Sequence, residues 1–375
     1  MQRSSRRSIG GGERIAQPSV DPAIRPFVSK VEAAGENVVK PYVGRWMKSA
    51  SVAVLGLAIA GCGSAATGSI SPAPSVSVTP SSAAATPAAS ASEKAKTIAI
   101  ISPDYAAQPA AKEAIDLFMA EAKSQGYVVT LTDTNSDNAA INGEITTAVS
   151  QNVDAIVTAF GTPQEFGEGL AKAGAAKVPV FGLDTGGVVA PTLVNVTTDN
   201  NYLGEASAQA MIDAMGGKGS VIMIAFDAFE PVRLRAVAAK ALFEAKGIKI
   251  LEYKQGDPAD STGKAKAIVG DLLTKYPKGT VQGVWAAWDA SALGAYQATQ
   301  AAGRSEVFIT GVDGQSFAQA EVAKGLNWIA TVRQDWPTIA KTLTGIINDH
   351  FAGKDPTNTT VFVPAILITK ANAKP

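Results

Sequence analysis

Residues 97–132 read TIAIISPDYAAQPAAKEAIDLFMAEAKSQGYVVTLT, and the stretch changes period twice. TIAII (97–101) is apolar throughout, as a strand covered on both faces requires. AAKEAIDLFMAEAKSQ (110–125) instead spaces its apolar residues at three and four, which is one face of a helix. Gly126 stands in the position that ends such a helix, and YVVTLT (127–132) is apolar again.

The same alternation continues to the end of the chain. Further apolar runs are DAIVTA (154–159), VPVFGL (178–183), SVIMIAF (220–226), IKILEY (248–253), VQGVWAA (281–287) and EVFITGV (306–312). Between most of them lie stretches rich in Ala, Lys, Glu and Leu, and strands alternating with helices build parallel sheets with right-handed crossovers. Eight such runs are too many for one small sheet. The count restarts near TTDNNYLG (197–204), so the expected fold class is α/β, as two doubly wound Rossmann-like lobes.

A chain of 375 residues, 46% of them apolar, is long enough for two such domains. Its formal charge is zero but unevenly shared. Residues 1–61 carry nine Lys/Arg against four Asp/Glu, leaving 24 basic and 29 acidic residues downstream. A mildly acidic body without a basic stripe argues against nucleic acid as a partner. One cysteine, Cys62, excludes a disulfide within the chain.

MKSASVAVLGLAIAGCGS places Met47 and Lys48 before an apolar run, Ala50 to Ala60, and small residues before Cys62. The run is too short for a membrane span but suits a signal peptide over 47–61. Ile59-Ala60-Gly61-Cys62 resembles the bacterial lipobox, which implies lipidation of Cys62, cleavage before it and a membrane anchor outside the cytoplasm. Residues 1–46 are long and mixed in charge for a leader; one reading starts translation at Met47 and makes them artefactual. Arg6-Arg7 has no apolar run nearby and matches a twin-arginine signal only weakly. Residues 62–96, mostly Ser, Ala, Pro, Thr and Gly, offer little apolar surface to bury and are expected to form a disordered spacer.

In doubly wound sheets ligands bind beyond the carboxyl ends of strands. The positions to inspect are therefore Asp104, Gln108, Phe160, Asp184, Phe226 to Arg235, Trp288, Asp289, Asp313 and Gln334, and they form neither a nucleophilic nor a metal-binding set. His350 reads as a cation at a helix C-terminus. Gly314-Gln315-Ser316-Phe317-Ala318 imitates a nucleophile elbow, but Ala replaces the second Gly and Ser316 reads more simply as a helix cap. DTNSDNAAINGE (133–144) has Asp133, Asn135, Asp137 and Glu144 at calcium-loop spacing, with Asn138 where the turn needs glycine. The glycines of MGGKGSVIMI precede a strand, so they end a helix and make no phosphate loop.

Lipobox, spacer and two lobes together resemble a solute-binding lipoprotein of a bacterial ABC importer. The body from Thr97 onward is similar to the ribose-binding (type 1) periplasmic binding proteins, on the landmarks VPVFGLDTG (178–186), TTDNNYLGEASAQAM (197–211), VWAAWDASALGAYQATQAAG (284–303), ITGVDG (309–314) and IATVRQDW (329–336). The resemblance implies three segments crossing between lobes. It also implies an N-terminal lobe of 97–198 plus 335–358, and a C-terminal lobe of 199–334 plus 359–375. It assigns Asp184 and Asp313 as acceptors from ligand hydroxyls, Arg235 as a paired donor with Arg233 as the fallback register, and Asn200 and Gln334 as polar contacts near the hinge. Gln108 and Phe160 complete the expected ligand-binding set.

Departures from that pattern are informative. Trp288 stands where the family often has asparagine, Pro109 is followed by Ala110 and Ala111 where aromatics are common, and Ala159 and Phe160 replace a polar residue. Trp288 is then expected to be a relocated stacking platform for an apolar sugar face, with Asp289 capping the helix that follows.

The expected activity is binding without catalysis or cofactor, by hinged closure of a monomer that hands a sugar or sugar-like solute to ABC permease subunits. Alternatives are an autoinducer-2-like or nucleoside-like ligand, and service to a chemoreceptor or sensor kinase. A LacI-type regulator would need a helix-turn-helix, which residues 1–96 lack. A hydrolase would need Ser316 activated by His350.

Overall fold

The computed structural model describes residues 94–374 apart from residue 138. The readings placed on Arg6, Arg7, Met47, the 47–61 leader, Cys62 and all but the end of the spacer lie outside the described residues.

The chain builds its first lobe from β1 (Thr97–Ser102), α1 (Pro109–Ser124), β2 (Val128–Asp133), α2 (Ile141–Ser150), β3 (Ala155–Ala159), α3 (Gly167–Ala175), β4 (Val180–Leu183) and β5 (Thr192–Thr197). The second lobe takes α4 (Asn200–Ala214), β6 (Ser220–Ala225), α5 (Glu230–Ala245), β7 (Lys249–Gln255), α6 (Ser261–Lys275), β8 (Gly283–Ala286), α7 (Asp289–Ala301), β9 (Phe308–Asp313), α8 (Ser316–Lys324) and β10 (Trp328–Arg333). The chain then returns to the first lobe as α9 (Trp336–Phe351) and β11 (Thr360–Phe362) and ends in the second as β12 (Ile366–Thr369). Each sheet has six strands, ordered β11-β5-β4-β3-β1-β2 and β12-β10-β9-β8-β6-β7. All pairings are parallel except β10 with β12.

The eight apolar runs are all strands; those inside the sheets are apolar because both their faces are buried, while β2 and β7 lie at sheet edges and are only partly covered. β3, β4 and β8 are buried at every residue. Helices cover both faces of each sheet: α1 and α9 bury Phe118, Leu343 and Ile347 against β1, β3 and β4, while Ile145, Phe166 and Leu170 fill the opposite face. In the second lobe α6, α7 and α8 cover one face and α4 and α5 the other. Gly126 follows α1 with φ of 88°, and Gly216 and Gly217 follow α4 with φ of 67° and 74°, so these glycines end helices as expected.

Three segments cross between the lobes, around Thr198–Asp199, Gln334–Asp335 and Val363–Ala365. The last corrects an expected boundary. β11 pairs in parallel with β5 over Thr360↔Asn195 to Phe362↔Thr197, so the first lobe runs to 362 and not 358.

Candidate functional site

The carboxyl ends of both sheets face one cavity of about 320 Å³. Of the eight residues expected to bind ligand, seven line it: Gln108, Phe160, Asp184, Arg235, Trp288, Asp313 and Gln334. The chain reverses abruptly just where three of them sit. Phe160, Asp184 and Asp313 close β3, β4 and β9 with φ of 61°, 50° and 112°, a region that non-glycine residues occupy at a cost in backbone strain. The strain turns each side chain from its sheet into the space between lobes.

Arg235 is the polar centre of the second lobe. Its Nε donates to Asn200 Oδ1 at 2.8 Å, and Nη1 donates to Asp313 Oδ1 at 2.9 Å and to the Ala287 carbonyl at 3.1 Å. Both members of the ion pair are about 95% buried, so the pair is held in low dielectric with its hydrogen bonds in place. Gln334 Nε2 adds a third contact to Asp313 Oδ1 at 3.1 Å. Burial nevertheless holds the Asp313 carboxyl above the usual range, against the pull of Arg235, Gln334 and the Asp289 backbone, and the Asp313 charge in turn helps raise Asp289.

Asp184 accepts from the Thr197 hydroxyl, while its Oδ2 is buried with no partner among the described residues. Gln334 Oε1 is in the same position. Burial pushes the Asp184 carboxyl up to about 6, more than Arg235 and Thr197 pull it down. Buried acceptors without donors are rare, and both residues here line the cavity.

Trp288 is buried, and its Nε1 donates to Ser261 Oγ at 2.9 Å. A Cβ at Gly256 would lie 2.6 Å from Trp288 Cη2, so glycine there makes room for the indole. Phe226 and Phe229 join Trp288 on the cavity wall, and Phe160 packs on Trp336 with ring centroids 5.9 Å apart. The aromatic surface common in the family's first loop is absent: Ala110 lines the cavity there.

Several expected roles are corrected. Asn200 does not line the cavity; it orients Arg235 and donates to the Thr198 carbonyl. Asp289 does not cap α7. Its Oδ1 accepts from Thr331 Oγ1 at 2.7 Å and its Oδ2 from the Gln315 amide at 2.8 Å, tying the ends of β8, β9 and β10 together. Ser316 is the first residue of α8 with Gln315 at the cap position. His350 lies in the last turn of α9, as expected, and packs edge-on against Phe181 in the first lobe, 2.5 Å from Asp355. Arg233 is half exposed beside Glu230, so Arg235 is the arginine that reaches the cavity. In the 133–144 loop the carboxylate oxygens of Asp133 accept from the Ala106 and Asn135 amides, and Asp137 accepts from Ala140, which is the turn-forming use of these residues.

Ser136, Glu165 and Asp257 to Ala259 also line the cavity, although no strand-end pattern points to them. The signal for the last group is GDPADS (256–261), a turn after a strand that runs two residues beyond its apolar part. These loops make the lobes touch. Gln108 Nε2 donates to the Pro258 carbonyl and to Ser261 Oγ, the second at 3.1 Å, and Gln315 Nε2 donates to Glu113 Oε2 at 2.9 Å.

Two lobes joined by three crossings, touching at their rims around a polar and aromatic cavity, define a solute-binding class of protein. The chain matches the family model described as a periplasmic binding protein domain over residues 98–355, and it belongs to that family. It is 26% identical over 281 residues to the D-apiose import binding protein of Actinobacillus succinogenes, covering 74% of this chain and 89% of the relative. Among solved structures it resembles a sugar ABC transporter subunit from Rhodobacter sphaeroides with a TM-score of 0.68 and 30% identity, over 74% of this chain and 99% of the other. An Agrobacterium vitis ABC transporter solute-binding protein with bound allitol gives a TM-score of 0.69 and 28% identity, over 74% and 96% of the two chains.

Proposed function

We propose that this chain is the extracytoplasmic substrate-binding component of an ABC importer, and that it encloses one sugar or polyol between its lobes without chemical change. The observation that carries this is the cavity's mixed lining. Asp184 Oδ2 and Gln334 Oε1 are buried without donors among the described residues, on a wall shared with the rings of Phe160, Phe226, Phe229 and Trp288. A polyhydroxylated ring has hydroxyls to donate at its rim and C–H faces to lay on aromatic carbon, which is the complement of that surface. The allitol-bound relative and the apiose import relative support the same solute class.

Solute entering an open cleft gains both walls only when the lobes meet, so its binding favours the closed arrangement. The contacts of Gln108 with Pro258 and Ser261, and of Gln315 with Glu113, hold that arrangement at the rim. Joined lobes then present one surface to the permease. Lipidation at Cys62, supported by the Ile59-Ala60-Gly61-Cys62 pattern, would tether the protein to the membrane. Labelled palmitate should enter the chain in cells and fail to enter a Cys62→Ser variant.

A thermal-shift screen of the full chain against sugars and polyols tests the binding function. Solute at 100 times its dissociation constant stabilises the folded state by about 2.7 kcal/mol. Trp288→Ala removes one cavity wall and is expected to weaken the hit at least tenfold; unchanged affinity would refute the stacking role. A screen in which no sugar or polyol shifts the melt refutes the sugar reading itself.

A further inference from the structure

We propose that the enclosed solute carries a positive charge, as an amine-bearing sugar or polyol whose ammonium group is held by Asp104. The inference rests on the sugar-binding reading and names the chemical class within it. Five carboxylates line the cavity, those of Asp104, Glu165, Asp184, Asp257 and Asp313, and among the described residues Arg235 is the only lining cation. That cation is committed, since its Nη1 lies 2.9 Å from Asp313 with both groups buried. Asp257 accepts from the Ala259 amide at 2.9 Å, which satisfies one of its oxygens locally.

Glu165 is exposed to solvent, which leaves Asp184 and Asp104. Asp184 has one oxygen on Thr197 and one buried and unpartnered, but the charge of Arg235 still acts on it. Asp104, on the loop between β1 and α1, has neither compensation. No described residue donates to its carboxylate, and the charge that acts on it is a second carboxylate, Asp133. Each Asp133 oxygen already accepts one backbone amide, from Ala106 at 2.8 Å and Asn135 at 2.9 Å, so Asp133 is held in place beside Asp104 as a second acceptor and brings it no donor. Burial and Asp133 together push the Asp104 carboxyl up to about 6, as expected for an acid that lacks a counter-charge.

A neutral sugar would offer Asp104 hydroxyl donors but leave the surplus charge enclosed, and enclosing an unpaired charge is costly. An ammonium supplies up to three donors and the missing charge at once. It would pair with Asp104 much as Arg235 pairs with Asp313.

Isothermal titration of the full chain with matched pairs reads the preference: D-glucose with D-glucosamine, D-galactose with D-galactosamine, and sorbitol with glucamine. The amine is expected to bind at least tenfold tighter than its neutral counterpart in the pairs that bind. Asp104→Asn is expected to reduce that ratio to near one, with the melting temperature of the unliganded variant reporting on its folding. Neutral members binding as tightly as their amines in wild type, or a ratio unchanged in Asp104→Asn, overturns the proposal. A neutral sugar from the screen that binds while every amine fails also overturns it and leaves the sugar reading standing; heat from neither class overturns both.

Discussion

Replacing Arg235 by Met tests whether the second lobe is organised around a desolvated ion pair. The guanidinium makes three hydrogen bonds, to Asn200 Oδ1, the Ala287 carbonyl and Asp313 Oδ1, all within that lobe. Methionine keeps most of the apolar stem and removes every donor. Asp313, about 5% exposed, then keeps the 3.1 Å bond from Gln334 and the Asp289 backbone contact but no counter-charge from Arg235, and lies near a second buried carboxylate, Asp289. Leaving a buried charge unpaired costs about 3–5 kcal/mol, against at most about 1 kcal/mol for a pair in water. Adding Asp313→Asn to the same variant removes the stranded charge, so the double variant should recover at least half of the loss, with a coupling of about 2 kcal/mol or more. Urea unfolding followed by tryptophan fluorescence reads mainly this lobe, because Trp285, Trp288 and Trp328 are buried in it while Trp336 is buried in the first. A loss below about 1 kcal/mol for Arg235→Met, or a second substitution whose effect simply adds, would mean the pair is hydrated and the reasoning wrong.

Asp184→Asn should stabilise the unliganded protein in a pH-dependent way. The carboxyl is raised from 3.8 to about 6 in the folded state, so the folded protein holds its proton more tightly than the unfolded chain does. That contribution is fully present below about pH 4 and is lost as pH rises through about 6, at about 1.4 kcal/mol per unit. The variant does not titrate there, so its stability relative to wild type should open from near zero at pH 4 to as much as about 3 kcal/mol at pH 7. A gap independent of pH, or a variant that is the less stable at pH 7, would contradict the assignment. Gly204→Ala should be costly for a steric reason: its Cβ would sit 2.1 Å from the Arg235 carbonyl oxygen, a backbone atom that cannot rotate aside. Forcing α4 from α5 should cost about 1–3 kcal/mol or more, and a melting temperature equal to that of wild type would show that the helices are not in this contact.

Positions fixed by a single strand are legible in the sequence alone. A parallel strand buried on both faces must be apolar along its length, so its carboxyl end announces itself as the first polar residue after the run. Asp184 and Asp313 follow VPVFGL and ITGV in this way, and Trp288 follows VWAA with nothing between. Strands that break the rule leave no such mark. β5 carries Thr192, Asn195 and Thr197, and the buried Asn195 is there because its amide group bonds the Thr185 backbone in the neighbouring loop, a reason no local pattern shows. β11 and β12 have three and four residues and exist because they complete the edges of sheets built elsewhere. Phe160 illustrates the same gap at the level of one torsion. Nothing in its side chain favours a φ of 61°, and only the requirement to leave β3 toward the cavity puts it there.

The boundary between residues that touch solute and residues that position them is harder to read, and its difficulty has a physical source. Asn200, Asp289 and Asp313 are all polar residues near the sheet ends, and the sequence treats them alike. Their roles separate only when partners distant in the chain arrive. Thr331 and Gln315, 42 and 26 residues from Asp289, take up its two oxygens, while Arg235, 35 residues from Asn200, takes up its carbonyl and leaves Asp313 exposed to the cavity on its other side. Gln108 shows the extreme case, since the serine it meets across the lobes lies 153 residues away. A site enclosed by two lobes is thus written in sequence as strand ends, whereas the saturation of each polar atom, and with it the charge left over for the solute, is decided by contacts of long range. Asp104 is the residue where that difference matters most: the sequence marks it as a strand-end position, and that no described residue supplies it a counter-charge emerges once Asp133 is found near it and Arg235 is found spent on Asp313.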